Sequence, residues 1–389
     1  MDNDSKCSIE SVKTFLVGKP SRRMGGENWV FLKLVTEDGV TGVGECNVPF
    51  YRERTLVRLI EEVSEQYLIG ANPFNIEELR VNLSAGSHYF RPKGMLSGQV
   101  ISAVEMACWD IVGKLLDQPV YNLLGGKCHD ELKSYTYMFD WKSPDDPPEK
   151  AGEVAQSYVE KGFSAVKFDP VRPIAPSPRD ISRKELNYAE ASVEAVRDSV
   201  GDSCEILIGT HGQLNTHSAI RLARRLESYE PLWFEEPVPP ENVDQLLEVA
   251  RSTSIPIATG ERFTTVDKFR EVLEKGAAQI LQVNVGLHGI LGAKKIAGFA
   301  EPYYAQIAPW MHCGPVAGAA AIQLDMCSPN FLIQEGLDTW GGFGSEILEE
   351  PIEWKDGMII PPEGPGLGVV LDEDKITGRP YNKYEFPWA

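Results

Sequence analysis

The sequence predicts an α/β protein whose larger part is a (β/α)8 TIM-type barrel, preceded by an α+β region. From about residue 134 onward, eight short β-type runs alternate with seven helical stretches, which is the count expected of this barrel. The first third of the chain differs, with a strand pair followed by helices. Polar and titratable residues recur at the ends of the predicted barrel strands, where such barrels place their reactive groups.

Length and composition suit a fold of this size. The chain has 389 residues, 42% of them hydrophobic, and 57 acidic against 38 basic side chains give a net charge of −19. This is enough apolar material to bury a large core. The acidic balance and the lack of a basic run argue against nucleic acid or an anionic membrane surface as the main partner.

The cysteines and the start of the chain indicate a reducing compartment. Seven cysteines are scattered without a C-x-x-C pair, which argues against a disulfide framework or a structural zinc site. The first residues, MDNDSKCSIE, lack the apolar stretch of a secretory signal. No apolar run approaches the roughly 20 residues that span a bilayer. We therefore expect a cytoplasmic protein with no membrane partner.

The α+β region, placed over residues 1–130, is predicted to contain a hairpin and three helices. WVFLKLVTEDGVTGVGE, residues 29–45, has two strand-like runs joined through a Glu-Asp-Gly turn. Helical spacing of apolar residues follows over 55–69, 75–84 and 98–116. Pro119 and the Gly125-Gly126 pair stop the last of these helices.

The barrel is predicted over residues 131–350 and a C-terminal tail over 351–389. The tail has too little apolar periodicity to fold alone, so we expect it to pack on the N-terminal domain. The predicted helices lie over 148–161, 184–200, 216–228, 242–251, 265–275, 291–300 and 315–326. The predicted strands are SYTYMFD, SAVKFDP, EILIGT, PLWFEEP, IPIATGE, QILQVN, AQIAPW and NFLIQE.

The ends of predicted strands two to eight form the candidate site. Because the C-terminal strand ends of a barrel meet at one mouth, residues far apart in sequence converge there. Random surface charge would not select these positions. The strand ends are Lys167-Phe168-Asp169, Gly209-Thr210-His211, Glu235-Glu236-Pro237, Gly260-Glu261-Arg262, Gln282-Val283-Asn284, Trp310-Met311-His312 and Gln334-Glu335.

Carboxylates on adjacent strands suit a hard divalent cation. Glu235 and Glu261 can supply the oxygen ligands that Mg²⁺ prefers at about 2.0–2.1 Å. The alternative is a salt bridge, in which Glu236 or Glu261 pairs with Arg262 instead.

A lysine and two histidines are the candidates for acid and base chemistry. Lys167 can act as a base if burial or neighbouring cations lower its pKa, or it can form an ion pair with a strand-end carboxylate. His211 and His312 are the two of six histidines that lie at strand ends, and a pair at one mouth favours proton transfer. These features predict a divalent-metal barrel enzyme acting on a small anionic substrate.

Nine segments, in order along nearly the whole chain, carry a resemblance to a known family. They are WVFLKLVTEDGVTGVGE, SAVEMACWDIVGKLLDQPVYNLLGG, GFSAVKFDP, THGQ, PLWFEEPVPPEN, IPIATGER, KKIA, GPVAGAA and PNFLIQE. In these segments the chain resembles the enolase superfamily, in its mandelate racemase/muconate lactonizing enzyme branch, near the galactonate-dehydratase-like proteins. The resemblance implies an α+β capping domain over the barrel, completed by the C-terminal tail.

The resemblance also implies a chemistry. A proton α to a carboxylate is abstracted while one Mg²⁺ ion holds the enediolate oxygens, and in the sugar-acid dehydratases a hydroxyl then leaves from the β carbon. By resemblance, Glu235 and Glu261 match metal ligands and Lys167 matches the first residue of the strand-two acid/base motif. His211 matches the histidine that assists the leaving group, and Glu335 matches the residue that hydrogen-bonds the enediolate.

Substrate contacts are expected at the mouth and in the capping loops. Asp169 and Trp310 are the candidates at the mouth, and Tyr51 and Arg52 those in the loop around residues 46–52. The expected partner is a small anionic sugar acid, and the expected assembly is a homo-oligomer, as in the relatives. Further specificity candidates that the sequence does not rank are Arg22, Arg23, His88 and Arg91.

Three positions depart from the family pattern. Strand three ends in Gly209 where relatives have a ligand carboxylate, so His211, Asp169 or water fills the gap, or the site binds metal poorly. Asn284 replaces an Asp that orients a catalytic His, and Trp310 stands in place of that His, with His312 two residues on. Racemisation by two bases is therefore not expected.

Two function hypotheses follow. In the first, Lys167 or His312 takes the C2 proton of an aldonic acid and His211 assists C3–O cleavage, which gives a 2-keto-3-deoxy acid. If the leaving oxygen belongs to an internal ether, as in 3,6-anhydro-galactonate, the same elimination opens a ring and the enzyme is a cycloisomerase.

In the second hypothesis, the chain is a non-catalytic sugar-acid-binding descendant. Retention of the lysine and carboxylates above favours the enzyme. An amino-acid-derivative epimerase fits poorly, because strand six ends in Asn284 rather than a lysine.

Overall fold

The N-terminal domain is built on an antiparallel sheet. The structure, a computed structural model, describes residues 7–20, 27–46, 52–85, 94–172 and 177–383. Strand β2 (Asn28–Thr36) lies between β1 (Ile9–Gly18) and β3 (Thr41–Cys46). The predicted hairpin is confirmed as β2–β3, and Gly39 in its turn adopts the left-handed conformation with φ 81°. Strand β1 is an element that the sequence pattern did not reveal.

Helices follow the sheet as the spacing of apolar residues predicts. Helix α1 continues into a π-helical turn, so the single helix predicted over 55–69 changes its winding near its end. Their bounds are α1 (Glu53–Val63), the π-helical turn (Ser64–Leu68), α2 (Ile76–Ala85), α3 (Met95–Leu116) and α4 (Val120–Leu123).

Helix α3 is the core helix of the N-terminal domain. Its Ala103 and Ala107 lie directly against Gly42 and Gly44 of β3, where any side chain would collide with the helix backbone. Within the described part of the chain, α3 is also the one helix long and apolar enough to cross a membrane, although we expected no such run. Of its most apolar window, 78% is buried inside the protein, as in a core helix.

The predicted barrel is confirmed, with eight parallel strands in sequence order. The predicted helix over 291–300 begins earlier, at Val285, because Gly289 at φ 70° interrupts the helix and conceals its first turn in the sequence. The strands are β4 (Leu132–Tyr137), β5 (Ala165–Phe168), β6 (Glu205–Gly209), β7 (Trp233–Glu235), β8 (Ile257–Thr259), β9 (Ile280–Leu281), β10 (Gln306–Ile307) and β11 (Gln334–Gly336). The helices are α5 (Pro148–Glu160), α6 (Arg183–Val200), α7 (Thr216–Leu226), α8 (Val243–Ala250), α9 (Val266–Lys275), α10 (Val285–Ala300) and α11 (Pro315–Met326).

The barrel closes between its last and first strands. Strand β11 pairs in parallel with β4, with Glu335 opposite Tyr135, and a bridge between Ile307 and Phe331 joins β10 to the segment before β11. The strands pack around a shared interior layer, which makes the barrel a filled core rather than a pore. Each strand or its immediate flank contributes one residue: Tyr135, Ala165, Leu207, Trp233, Ala258, Ile280, Ala308 and Ile333.

The tail contacts the N-terminal domain, as expected, and also the barrel. After α12 (Gly342–Glu346), a hairpin of β12 (Glu353–Lys355) and β13 (Met358–Ile360) adds to the N-terminal end of β4 in antiparallel register. Beyond it lies α13 (Glu373–Ile376), where Glu373 forms ion pairs with Lys13 and Lys33 of the N-terminal sheet. Cys46, Cys108, Cys128, Cys204, Cys313 and Cys327 are free thiols.

Candidate active site

The two-residue alternation of the strands positions the side chains at the C-terminal mouth. Because successive side chains of a strand point to opposite faces, the interior layer repeats two residues further along each strand. This second layer consists of Tyr137, Lys167, Gly209, Glu235, Gly260, Gln282, Trp310 and Glu335. Two residues further along their strands lie Asp169, His211 and His312.

Lys167 is at the centre of a buried ion-pair cluster. Its Nζ lies 2.6 Å from Glu235 Oε1 and 3.7 Å from Glu335 Oε1, and all three residues are at most 5% exposed. Burial works to lower the pKa of Lys167, but Glu235 and the other nearby charges outweigh it and raise that pKa well above its usual value. Of the two roles left open by the sequence, the ion pair with a strand-end carboxylate is the one that the resting structure contains.

Glu235 is held by three different donors. Besides Lys167 at Oε1, its Oε2 accepts hydrogen bonds from Gln282 Nε2 at 2.6 Å and from the Trp233 indole N–H at 3.1 Å. The Trp233 ring packs edge-on against Tyr135 with centroids 5.3 Å apart. The floor of the mouth therefore fixes the orientation of this carboxylate before any ligand arrives.

Asp169 and His211 form a second pair beside the first. Asp169 Oδ2 and His211 Nδ1 are in hydrogen-bond contact, and chiefly the Asp169 charge raises the pKa of His211 to about 10. His211 is therefore an imidazolium at neutral pH and can donate a proton. Asp169 is 4% exposed, and its Oδ1 has no hydrogen-bond partner.

Glu261 and Glu236 are distinguished by Arg262. The Arg262 guanidinium pairs with Glu236, with its Nε 2.8 Å from Oε2, so the predicted salt-bridge alternative applies to Glu236 rather than Glu261. Glu261 Oε2 is buried without a hydrogen-bond partner. Burial, followed by the charges of Glu236 and Glu235, raises the pKa of Glu261 to about 8.

His312 lies on the opposite side of the mouth in a neutral state. Burial, with smaller contributions from Lys19, Lys167 and His211, lowers its pKa to about 4. Its ring centroid is 6.1 Å from that of Trp310 and 6.3 Å from that of Phe139. His211 and His312 thus differ in charge at neutral pH, as an acid and a base require.

A cavity of about 220 Å³ lies between the N-terminal domain and the ends of strands seven and eight. Lys19 reaches it from the end of β1 and is 8% exposed, and its Nζ has no hydrogen-bond partner. That ammonium is 4.9 Å from the centroid of the Trp29 ring. Burial lowers the pKa of Lys19 to about 8, so it carries a charge at neutral pH. The other walls are mostly apolar and include Met311, Cys313, Leu337, Trp340 and Phe343.

Glu45 joins the two domains at the same end of the barrel. Its carboxylate accepts hydrogen bonds from the backbone N–H groups of Gly314, Val316 and Ala317, at the N-terminus of α11. Burial outweighs these donors and raises the pKa of Glu45 to about 7. Sequence reasoning placed Glu45 only at the end of a hairpin and gave no sign of this role.

The structure brings eight of the ten predicted site residues to one mouth. Tyr51 lies outside the described residues, as do Arg22, Arg23, His88 and Arg91, and Arg52 is exposed at the start of α1.

Sequence reasoning missed Tyr137 at the end of strand one, although a tyrosine at a strand end was a usable signal. Burial, and then the adjacent Asp169 carboxylate, raise the pKa of its hydroxyl well above the usual value.

Whether the mouth suits a divalent cation depends on its unused oxygen donors. Among the residues that the structure describes, no three acidic, His or Cys side chains form a preformed metal cluster. Two buried carboxylate oxygens, Asp169 Oδ1 and Glu261 Oε2, nevertheless lack hydrogen-bond partners. The oxygens of Glu235 accept hydrogen bonds, yet a carboxylate has about four lone-pair sites. The donor set therefore fits a hard, oxygen-preferring ion.

A closed (β/α)8 barrel with ionisable groups buried at its mouth, next to an α+β domain, defines a two-domain enzyme class. Residues 150–375 match the family described as enolase C-terminal domain-like, and residues 17–125 match the mandelate racemase/muconate lactonizing enzyme N-terminal domain. The chain belongs to the enolase superfamily, in the mandelate racemase/muconate lactonizing enzyme group. Members of this superfamily generally depend on a divalent metal.

Named relatives and solved structures cover most of the chain. It is 36% identical to the D-galactonate dehydratase of Variovorax paradoxus over 90% of both chains. It is 32% identical to the D-gluconate dehydratase of Thermoproteus tenax over 88% of this chain and 68% of that protein. A structure from Burkholderia SAR-1 assigned to the mandelate racemase/muconate lactonizing enzyme group superposes with a TM-score of 0.93. That protein is 46% identical, with 97% of this chain and 95% of that one covered.

Proposed function

We propose that the protein is an acid-sugar dehydratase that converts an aldonate of the galactonate or gluconate type into a 2-keto-3-deoxy acid. The observation that carries this proposal is the mouth itself, where an imidazolium (His211) and a neutral imidazole (His312) flank the buried Lys167 cluster. The names of the relatives, D-galactonate and D-gluconate dehydratase, supply the substrate class.

The reaction needs a base for the C2 proton, and two residues are candidates. His312 is neutral and can accept a proton directly. Lys167 is the alternative base, and for that role it must be the neutral amine. As an ammonium, Lys167 instead stabilises the negative charge that develops on the substrate carboxylate. Glu335, whose Oε2 accepts the Met311 N–H at 2.8 Å, is held in place beside Lys167.

The second half of the reaction needs an acid. His211, held by Asp169, donates a proton to the departing C3 hydroxyl, so that the C3–O bond breaks and water leaves. The resulting enol takes up a proton at C3 as it becomes the ketone. In total one water is lost, with no oxidation or reduction.

Glu235, Glu261 and Asp169 are the residues that would hold a divalent ion, Mg²⁺ by family precedent. Such an ion supplies Lewis-acid polarisation of the substrate carboxylate and makes the C2 proton more acidic.

The cavity beside the mouth supports a small anionic substrate. The cavity has a volume of about 220 Å³, and Lys19 offers it a buried ammonium that has no hydrogen-bond partner. We also infer a cytoplasmic location from the free thiols, and a homo-oligomer because relatives in the family assemble in this way. Light scattering after size-exclusion chromatography measures the assembly.

Deuterium exchange tests the assignment of roles. The purified chain is incubated with aldonates, aldarates and a 3,6-anhydro-aldonate with Mg²⁺ in D2O, and both 2-keto acid and C2 deuteration are recorded. We expect His211→Gln to lose dehydration but retain C2 exchange, whereas the variant of the true base, His312→Asn or Lys167→Met, loses both. Turnover of the anhydro-aldonate alone identifies a cycloisomerase. Ligand binding without any turnover, and insensitive to EDTA, identifies a non-catalytic binding protein and refutes the dehydratase.

A further inference from the structure

The space beside Gly209 is filled by a side chain from the neighbouring strand. A Cβ atom built on Gly209 would overlap Asp169 Oδ1 and would lie 3.4 Å from Lys167 Cε. The backbone at Gly209 is strand and does not have the positive φ that demands glycine. The obstacle to a larger residue at position 209 is therefore the Asp169 carboxylate and not the backbone.

The position of Gly209 in the sheet shows what this carboxylate faces. Strand β6 lies between β5 and β7, and Gly209 is the register partner of Glu235. Asp169 follows the end of β5 directly. Its carboxylate thus crosses from strand two into the place that a strand-three side chain next to Glu235 would otherwise occupy.

The two oxygens of Asp169 have different surroundings. Oδ2 contacts His211, whereas Oδ1, the atom nearest to Gly209, is buried without a hydrogen-bond partner. A buried carboxylate oxygen without a partner costs on the order of 1–3 kcal/mol or more. A cation at this point would satisfy it and leave the contact with His211 intact.

We propose that Asp169, reaching across from strand two, supplies the metal-ligand carboxylate that strand three lacks, and that it binds the divalent cation together with Glu235 and Glu261. In this arrangement the ligand comes from strand two, and its Oδ1 occupies the space beside Gly209, the register partner of Glu235. The catalytic meaning of this inference rests on the proposed function, but metal binding can be measured without any turnover.

Mn²⁺ binding to the full chain after EDTA treatment and dialysis tests the inference, with free Mn²⁺ measured by its electron paramagnetic resonance signal. Asp169→Asn keeps the shape of the side chain and removes its charge, and we expect at least a tenfold loss of Mn²⁺ affinity. His211→Gln breaks the contact with Asp169 but leaves the carboxylate, so its affinity should stay within about threefold of wild type. Asp198→Asn, an exposed aspartate on α6, is the matched surface control and should bind as wild type.

A swap of the two positions gives the sharper test. Gly209→Asp alone places two carboxylates in one space and should weaken both folding and binding. Asp169→Ala combined with Gly209→Asp removes the collision and returns the carboxylate to strand three, so Mn²⁺ affinity should recover to within about fivefold of wild type. Because the swap also removes the partner of His211, dehydration should remain low. Circular dichroism and melting curves identify any variant that fails to fold.

Two results overturn the inference: wild-type protein that binds no Mn²⁺ at millimolar concentration, and Asp169→Asn that binds as tightly as wild type. Failure of the proposed function gives a different result. A chain that binds Mn²⁺ through Asp169 yet dehydrates no sugar acid contradicts the function and supports the ligand assignment.

Discussion

The mouth of the barrel and the β12–β13 hairpin at its base satisfy their polar groups in different ways. At the base, around the β12–β13 hairpin, Ser134 Oγ donates to Gly357 O at 3.0 Å and accepts the Trp354 indole N–H at 2.8 Å. At the mouth, buried oxygens of Asp169 and Glu261 and the buried Lys19 ammonium have no hydrogen-bond partner. Around the hairpin the polar side chains are therefore paired, whereas several at the mouth are not. Away from the hairpin, Asp325 and Asn330 also keep buried oxygens without hydrogen-bond partners.

This contrast shows how one scaffold separates stability from chemistry. Unpaired buried polar groups cost free energy, and they persist where a ligand completes them. Around the β12–β13 hairpin, in contrast, Ser134 and Trp354 are paired with each other. Substitutions at the mouth should therefore change activity far more than stability, and substitutions at the base should do the reverse.

The largest effect is expected from Lys167→Met. The change removes the central charge of the mouth, and kcat/KM should fall about 10³-fold, or about 4 kcal/mol of transition-state stabilisation. Glu235 keeps its hydrogen bonds from Gln282 and Trp233, so the chain should still fold, as circular dichroism will show. Lys184→Met, at an exposed lysine of α6, is the control. Lys167→Met with more than a tenth of wild-type activity would contradict the central role.

At the base, Trp354→Ala should lower the free energy of unfolding by about 3 kcal/mol and leave kcat/KM unchanged within twofold. The indole packs against the Phe163 ring at a tilt of 38°, with centroids 4.6 Å apart, and its N–H donates to Ser134 Oγ. The substitution removes both contacts. Urea unfolding and steady-state kinetics measure the two quantities. Trp354→Phe keeps the ring and should cost only about 1 kcal/mol. A marked loss of activity in folded Trp354→Ala would contradict the view that residues at the base affect stability but not activity.

Glu45 sharpens the comparison, because it lies at the mouth end of the barrel but is fully hydrogen-bonded. Its pKa is raised from 4.5 in the unfolded chain to about 7 by burial, so the protonated form is the stabilising one. That contribution is complete below about pH 4.5 and is lost as the pH rises through about 7.

Glu45→Gln does not titrate, so the stability of wild type relative to this variant should fall by roughly 2–3 kcal/mol between pH 5 and pH 8. Urea unfolding of both proteins across this range measures the difference. A constant difference would mean that the three backbone N–H donors keep Glu45 ionised throughout.

The smallest effect is expected far from both ends. Arg58 on α1 is exposed and pairs with Glu61 and Glu62, and such surface ion pairs contribute little. Arg58→Ala should change the free energy of unfolding by less than about 0.5 kcal/mol and leave activity unaltered. A larger change in either quantity would show that substitutions away from the two ends of the barrel also affect stability or activity.

The barrel could be predicted because its strands leave a strong local signal. Each is a short apolar run between helical segments, and their positions at the C-terminal strand ends then placed Lys167, Glu235 and Glu335 at one mouth. Strand β1 was missed because polar residues occupy much of its length, including Glu10, Ser11 and Lys13. Helix α10 was predicted too short, because Gly289 hides its start.

The pairing of side chains could not be predicted in the same way. Lys167 and Glu235 are 68 residues apart, and the contact of Glu45 with Ala317 spans 272 residues. The gap at Gly209 was visible in the sequence, but only three-dimensional packing shows that Asp169 fills it. Local pattern determines which face a residue occupies, whereas its partner depends on neighbours brought together by the whole fold.

The hairpin at the base also has a consequence for the order of folding. Ile359 pairs with Leu132 at the start of the first barrel strand, so this end of β4 gains its antiparallel partner only after all eight barrel strands have been synthesised. Contacts of such long sequence separation form slowly, and partly folded chains meanwhile expose strand edges. We therefore expect the N-terminal end of β4 to stay exposed until the β12–β13 hairpin has been synthesised.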